Sequence, residues 1–107
     1  MSEERREGLR KVLRVRATIQ IAEHAAEVRT HDISLTGICL LLPFPSKLGG
    51  TAKIQFSLFH EGVLKELTVS GKAMHSSLSA DKFRTGFSFT VISPEHFKII
   101  ANYCRDR

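Results

Sequence analysis

Two short stretches of the sequence carry side chains whose types and spacing suit the binding of an anionic ligand. The first, Glu4-Arg5-Arg6-Glu7-Gly8-Leu9-Arg10, places Arg6 and Arg10 four positions apart. The second, Asp32-Ile33-Ser34-Leu35-Thr36-Gly37, combines a carboxylate, a hydroxyl and a glycine. A guanidinium group pairs with phosphate oxygens through its planar fork and also stacks on flat rings. Lysine supplies the charge without the fork or the stacking.

Each stretch also has an ordinary structural explanation. Six of the 16 basic residues lie in the first sixteen positions of a chain with formal net charge +5, so Arg6 and Arg10 also fit a solvated basic tail. Asp32 and Ser34 fit an Asx-type turn that joins two strands. Gly37 is best explained structurally, by a positive φ or by the close approach of ligand or backbone. The residues alone leave these alternatives open.

Alternation of apolar and polar side chains predicts the strands that must position these residues. From Leu13 to Ile21 every second residue is apolar, which is typical of a half-buried strand. A weaker alternation surrounds Ala26 and Val28, and the apolar segment Ile38–Leu42 follows Gly37. Three more alternating strands are predicted, with inward faces of Ala52, Ile54, Phe56 and Leu58; Val63, Leu67, Val69 and Ala73; and Phe83, Thr85, Phe87, Phe89 and Val91.

The period changes after the last strand. Ser93-Pro94-Glu95 is typical of a helix start, with a serine cap followed by proline at the first helical position. Phe97, Ile100 and Cys104 then recur at helical spacing. The sequence thus predicts a mainly β protein, a six-stranded antiparallel β-barrel with a C-terminal α-helix. We expect residues 1–11 to form a flexible arginine-rich segment and residues 12–107 to form the barrel domain.

Composition and motifs favour a small binding protein over an enzyme. The chain has 107 residues, about one domain, and its longest apolar run, Ile38–Leu42, is far too short to cross a bilayer. The charged N-terminus does not resemble a secretory signal, so we expect a cytoplasmic protein without membrane insertion. The five histidines form no HExxH motif, and no GxSxG or P-loop is present. We expect no catalysis, no cofactor and no metal, and two buried thiols at Cys39 and Cys104.

Together, the two stretches resemble the signature of the PilZ family, an RxxxR segment followed by a [D/N]xSxxG turn. Arg6 and Arg10 match the first motif, and Asp32, Ser34 and Gly37 match the second. The strand order and the helix start also agree, so the resemblance covers essentially the whole chain. It implies a PilZ-type barrel that binds the bacterial second messenger cyclic diguanylate (c-di-GMP).

The resemblance implies a role for each matched residue. The two arginines would close over the phosphates and guanines of the ligand. Asp32 would accept hydrogen bonds from a guanine, and Ser34 would either donate to a phosphate or brace the turn. Arg5, directly before the RxxxR motif, is similar to the pattern of family members that bind two stacked ligand molecules, so we expect two per chain.

The arginine register and the biological output are less constrained. Arg10 and Arg14 form a second RxxxR, but the strand alternation fixes Arg14 on the barrel exterior, so we favour Arg6 and Arg10. The resemblance implies a stand-alone adaptor whose N-terminal segment becomes ordered on ligand binding and which then signals to an unidentified effector protein. Two alternatives remain: a basic barrel that binds single-stranded nucleic acid, and a degenerate PilZ domain that docks on a partner without ligand.

Overall fold

The structure, a computed structural model, describes residues 10–105. Within that range seven strands precede one helix. They are β1 (Lys11–Val12), β2 (Arg16–Ile21), β3 (His24–Ile33), β4 (Gly37–Leu42), β5 (Thr51–His60), β6 (Val63–Ser79), β7 (Lys82–Val91) and α1 (Pro94–Arg105).

Six of the strands form a closed antiparallel barrel. The spatial order is β3-β2-β5-β6-β7-β4, and β4 pairs back with β3 to close the sheet. The two-residue strand β1 lies outside this ring and pairs with the far end of β3. The prediction of a six-stranded antiparallel barrel with a C-terminal helix is confirmed, with β1 as an additional short strand.

The barrel is filled by the apolar faces that alternation predicts. All four predicted inward residues of β5 are buried, as are Leu67, Val69 and Ala73 of β6. Two predicted inward residues are exposed instead, Val63 by 53% and Val91 by 66%. Val63 pairs with His60 at the tip of the β5–β6 hairpin, beyond the core. The register shift that precedes the Ser70–Val91 pair disturbs the alternation near the end of β7.

The predicted strand from Leu13 to Ile21 is interrupted at residues 13–15, where the buried side chain of Thr30 adds hydrogen bonds to the backbone bonds Leu13–His31 and Thr30–Val15. The Thr30 hydroxyl donates to the carbonyl oxygen of Leu13 and accepts from the backbone N–H of Val15 at 2.9 Å. The chain before Leu13 then continues along the end of β3, with Val12 opposite Asp32. This interruption places Arg10 beside the Asp32–Gly37 turn.

The helix starts where the sequence predicts and its last turn supports β1. Ser93 Oγ accepts a hydrogen bond from the backbone N–H of His96 at 3.1 Å, which confirms the serine cap. At the other end, the Tyr103 hydroxyl donates to the carbonyl oxygen of Val12 at 3.1 Å. The Lys11 ammonium donates to the carbonyl oxygen of Tyr103 and lies 4.3 Å from the centre of the Tyr103 ring. The helix therefore fixes β1, the strand that directly follows Arg10.

Candidate functional site

Strand pairing brings one residue from each of four strands into a row on the outside of the barrel. Asp32 of β3 pairs with Cys39 of β4, Cys39 with Gly86 of β7, and Gly86 with His75 of β6. Ile38 and Leu40, the chain neighbours of Cys39, are buried in the core. Because side chains alternate across a strand, the row faces outwards. We call Asp32, Cys39, Gly86 and His75 the outer row.

A β-bulge places two polar side chains at one end of the outer row. The register of β3 against β4 shifts between Thr30 and Asp32, so His31 and Asp32 together oppose Cys39. Thr30 and Ile33 on either side of the pair are buried. The bulge therefore presents an imidazole and a carboxylate side by side above the thiol.

Both carboxylate oxygens of Asp32 are occupied. Arg10 Nη1 donates to Asp32 Oδ1 at 2.5 Å, and His31 Nδ1 lies 2.7 Å from Asp32 Oδ2. The Asp32 side chain is 17% exposed, whereas that of Arg10 is 44% exposed. Exposure to solvent screens an ion pair and reduces its contribution to stability. Arg10, the more exposed partner, can therefore exchange Asp32 for another acceptor when Asp32 gains a new hydrogen-bond donor in its place.

Ser34 and Gly37 shape the turn that ends at β4. Ser34 is buried, and its Oγ lies 3.3 Å from the backbone nitrogen of Thr36 and 3.4 Å from the carbonyl oxygen of Gly37. Of the two roles that the sequence leaves open for Ser34, this position corresponds to bracing the turn. A Cβ on Gly37 would overlap the Phe87 carbonyl oxygen and lie 3.4 Å from Ser88 Cα. Gly37 therefore permits the close approach of β4 and β7.

A small pocket lies beside this turn and has Arg10 at its rim. Its volume is about 170 Å³, and its walls include Gly37, Gly86 and the His75 side chain. The remaining lining residues are Thr36, Met74, Phe87 and Ser88. Sites that enclose a small ligand usually measure about 300–1,000 Å³, so this pocket alone holds part of a dinucleotide.

The pocket contains residues that the sequence analysis did not identify. The His75 ring covers Gly86, where an added Cβ would overlap its Nε2 and Cε1 atoms. A glycine inside the clear alternation of β7 was the available signal, because such a residue often marks close approach of another group. Arg84, which does not line this pocket, was also not identified; its positive charge acts on the Cys39 thiol, as does that of Arg10.

The remaining predicted residues fall in three groups. Arg10 and Asp32 are in contact, and Gly37 lines the same pocket as Arg10. Arg5 and Arg6 lie outside the described residues. Arg14 is exposed and lines a different hollow with Phe59 and Tyr103. Of Arg10 and Arg14, the two arginines of the overlapping motifs that the structure describes, Arg10 lies at the pocket beside Gly37 and Arg14 does not.

Cys39 lies beneath the polar end of the outer row and is largely shielded from solvent. Burial, together with the negative charge of Asp32, raises the pKa of the Cys39 thiol to about 11, against the lowering effect of Arg84 and Arg10. Cys104 is also a free thiol, and burial raises its pKa. The expectation of two buried thiols holds for Cys39, whereas Cys104 is free but only half-buried.

Donor atoms of three different chemical types meet at the same end of the outer row. A ring nitrogen of His31, a carboxylate oxygen of Asp32 and the sulfur of Cys39 all lie within 4.8 Å of one another. The sequence analysis did not identify this group, because its members come from two strands and the bulge that joins them is not visible in residue spacing.

A closed antiparallel barrel with an arginine–aspartate pair and a glycine-lined pocket on its outer face is the architecture of a small ligand-binding domain. The family model of the PilZ domain matches residues 4–106, and the chain belongs to this family. A search of curated protein sequences gives no match. In the described range of residues 10–105, no helix is long and apolar enough to span a membrane.

Solved structures share the fold at low sequence identity. The Bacillus subtilis inhibitor of motility (MotI/DgrA) superposes with a TM-score of 0.81 at 16% identity, over 89% of this chain and 47% of that chain. The Borreliella burgdorferi PlzA protein in complex with c-di-GMP gives 0.61 at 18% identity, over 84% and 32%. The PilZ domain of CeSA from a cellulose-synthesizing bacterium gives 0.58 at 17% identity, over 85% and 89%. The chain thus spans about half of the first of these and a third of the second.

Proposed function

We propose that this chain is a receptor for cyclic diguanylate that binds the dinucleotide on the outer face of the barrel, between Arg10, Asp32 and the pocket beside Gly37. The observation that carries the proposal is the contact between Arg10 and Asp32 at the edge of that pocket. Membership of the PilZ domain family and the likeness in fold to PlzA, whose structure contains c-di-GMP, support the same ligand.

The Arg10–Asp32 pair suits an exchange of partners on binding. The guanidinium of Arg10 can leave Asp32 for a phosphate or for the O6/N7 edge of a guanine, where two parallel hydrogen bonds form. Asp32 then accepts hydrogen bonds from the ring N–H and amino group of a guanine, so neither charge is left unpaired. Because the pair is partly exposed, separating it costs less than the new charge-assisted bonds supply, about 1.5–3 kcal/mol each.

The predicted clamp, residues 1–11, is anchored at its end, where Lys11 lies in β1 and Arg10 contacts Asp32. In this proposal the residues before Arg10 become ordered over the ligand. Arg6 precedes Arg10 by four residues in the sequence, and Arg10 itself lies beside the Asp32–Gly37 turn. Fixing the four backbone positions 6–9 costs about 4–8 kcal/mol. A micromolar affinity corresponds to a net binding free energy of about 8 kcal/mol. The contacts with the ligand must therefore supply about 12–16 kcal/mol in total, which covers both this net value and the cost of ordering the segment. The small pocket also favours a clamp, since it leaves much of a dinucleotide uncovered.

Arg5 extends the proposal to the stoichiometry. A third guanidinium next to Arg6 supplies contacts for a second, stacked ligand molecule, and we propose two molecules per chain. The ordered segment would then present a new surface to an effector protein, so that the chain acts as an adaptor and not as an enzyme. The barrel itself would change little, because its strands form a closed ring around a buried apolar core.

Calorimetric titration of c-di-GMP into the wild-type protein and into Arg6→Ala, Arg10→Ala and Arg14→Ala tests the proposal. Loss of a charge-assisted contact should weaken binding by about tenfold to a hundredfold in Arg6→Ala and Arg10→Ala. Arg14→Ala is the matched control, because it removes the same charge from the neighbouring arginine and should bind as wild type. Equal losses in all three variants, with a steep dependence on salt, would indicate the nonspecific attraction expected of a nucleic-acid-binding barrel. No binding to the wild type would refute the receptor proposal.

A further inference from the structure

The end of the outer row combines three ligand types that transition metals bind. Zinc is held in proteins by cysteine sulfur, histidine nitrogen and carboxylate oxygen, usually in a tetrahedron. His31, Asp32 and Cys39 offer one donor of each type within 4.8 Å of one another. The bulge in β3 is what brings the imidazole and the carboxylate to the same side as the thiol.

The geometry needs only small movements to accept an ion. With zinc–ligand distances of about 2.0–2.3 Å, donor atoms on neighbouring corners of a tetrahedron lie about 3.3–3.8 Å apart. The His31 Nδ1–Asp32 Oδ2 distance is 2.7 Å, so these two atoms must separate slightly, and the Cys39 sulfur lies within 4.8 Å of both side chains' donor atoms. Both side chains retain some exposure, 28% for His31 and 17% for Asp32, which leaves room for rotation about their χ angles.

The charges around the group decide which kind of ion can bind. The positive charges of Arg10 and Arg84 both act at the Cys39 thiol, so they would repel a cation that is bound by electrostatic attraction alone. A metal that binds thiolate displaces the thiol proton, so a dication adds a single positive charge to the site. Arg10, which contacts Asp32 Oδ1 and not Oδ2, can turn towards solvent. These conditions favour a thiolate-binding ion such as Zn²⁺ over the hard ions Mg²⁺ and Ca²⁺.

We propose that His31, Asp32 and Cys39 form a binding site for Zn²⁺ or a similar thiolate-binding metal ion, with a fourth position open to water. A second consequence rests on the proposed function: because Asp32 is a ligand in one case and a guanine acceptor in the other, metal and c-di-GMP compete. The metal then acts as an antagonist of nucleotide binding at this end of the outer row.

Cobalt(II) is a direct probe of the site, because thiolate ligation gives an intense sulfur-to-metal charge-transfer absorption in the near ultraviolet. We titrate Co²⁺ into the tag-free, chelator-treated full chain and into Cys39→Ser and Cys104→Ser. The wild type and Cys104→Ser should give the band, and Cys39→Ser should not. Absence of the band in the wild type, or its persistence in Cys39→Ser, would overturn the proposal. So would its loss in Cys104→Ser.

His31→Ala provides a second variant that does not touch the buried thiol. It should keep the charge-transfer band but bind Co²⁺ at least about tenfold more weakly, since loss of even an outer-shell partner typically weakens metal binding by about 10- to 100-fold. Unchanged affinity would remove His31 from the site and contradict the three-ligand arrangement. Circular dichroism of each variant shows whether a loss of binding reflects loss of fold.

The competition is measured separately by titrating c-di-GMP with and without saturating Zn²⁺. Zn²⁺ should weaken nucleotide binding at least about tenfold in the wild type and leave Cys39→Ser unaffected, which also controls for binding of the metal to the nucleotide itself. Equal nucleotide affinity with and without Zn²⁺ would refute the competition. A wild type that binds Co²⁺ through thiolate but never binds c-di-GMP would refute the proposed function and leave the metal site standing.

Discussion

The close approach of β4 and β7 at Gly37 leads to a prediction whose size follows from the structure. In Gly37→Ala the new Cβ would lie 3.3 Å from the Phe87 carbonyl carbon and closer still to its oxygen. An ordinary carbon–oxygen contact measures about 3.3–3.6 Å, so the two backbones must separate by about 1 Å. These atoms belong to a paired strand of a closed barrel and have no free direction in which to move.

We expect Gly37→Ala to lower the free energy of unfolding by about 2 kcal/mol. Overpacking typically costs about 1–3 kcal/mol, and the cost here lies near the upper end because the overlapping atoms are backbone atoms of a paired strand. Alanine recovers about 0.5–1 kcal/mol of the backbone entropy that glycine loses in a strand, which leaves a net loss of about 2 kcal/mol. For a domain of this size the midpoint of thermal unfolding should fall by about 8–16 °C. The same movement would distort the wall of the pocket and weaken c-di-GMP binding.

Gly86→Ala is the matched control, because a Cβ there meets a side chain and not backbone. The atoms in its way are the far end of the His75 ring, which can rotate outwards. Its unfolding free energy should stay within about 1 kcal/mol of wild type. Urea denaturation of both variants, followed by circular dichroism, measures the difference. An effect of Gly86→Ala equal to or larger than that of Gly37→Ala would refute the assignment of Gly37 as the contact point between the two strands.

Three further predictions concern the helix and the thiols. Ser93→Ala removes the cap of α1 and should lower the free energy of unfolding by about 1 kcal/mol in urea denaturation, and an unchanged midpoint would contradict the cap. Tyr103→Phe removes the hydrogen bond to Val12 and should lower stability by about 0.5–1.5 kcal/mol. It should also weaken c-di-GMP binding measurably, because β1 leads into Arg10, and full affinity would argue against this support. With the pKa of Cys39 raised to about 11, about one thiol in a thousand is ionised at pH 8. Ellman's reagent should therefore modify Cys39 far more slowly in the folded protein than in the protein unfolded in urea. Asp32→Asn removes a negative charge that raises the pKa of Cys39, so this variant should react faster than the folded wild type.

Much of the barrel follows from local patterns. The alternation of β2, β5 and β7 and the Ser93-Pro94 helix start depend on neighbouring residues, so they are visible in a single sequence. The interruption at residues 13–15 depends on Thr30, a residue of another strand, and could not be read from the alternation that crosses it. Val91 was assigned to the wrong face for the same reason, since the register shift before its pair with Ser70 depends on β6.

The site was only partly predictable. Arg10, Asp32 and Gly37 belong to motifs that are defined by residue spacing, so they can be recognised in the sequence without knowledge of the tertiary structure. The neighbours that give them their chemistry come from other strands: His75 opposite Gly86, and Cys39 opposite the His31–Asp32 bulge. Such groupings depend on the register of the paired strands, because a shift of one residue would turn every side chain of a strand to the opposite face of the sheet. Arg84 was missed because a lone arginine on an outward face resembles any solvated side chain.

The most direct test of the receptor account is to map the bound ligand by two-dimensional ¹H–¹⁵N nuclear magnetic resonance of the full chain. On titration with c-di-GMP, the account predicts saturable shifts of the backbone amides of residues 32–37 and of Gly86 and Ser88. Amides beside the larger apolar hollow of about 480 Å³, which Phe44 and Lys47 line, should stay in place. Shifts concentrated around that hollow, or an unchanged spectrum at millimolar ligand, would contradict the account.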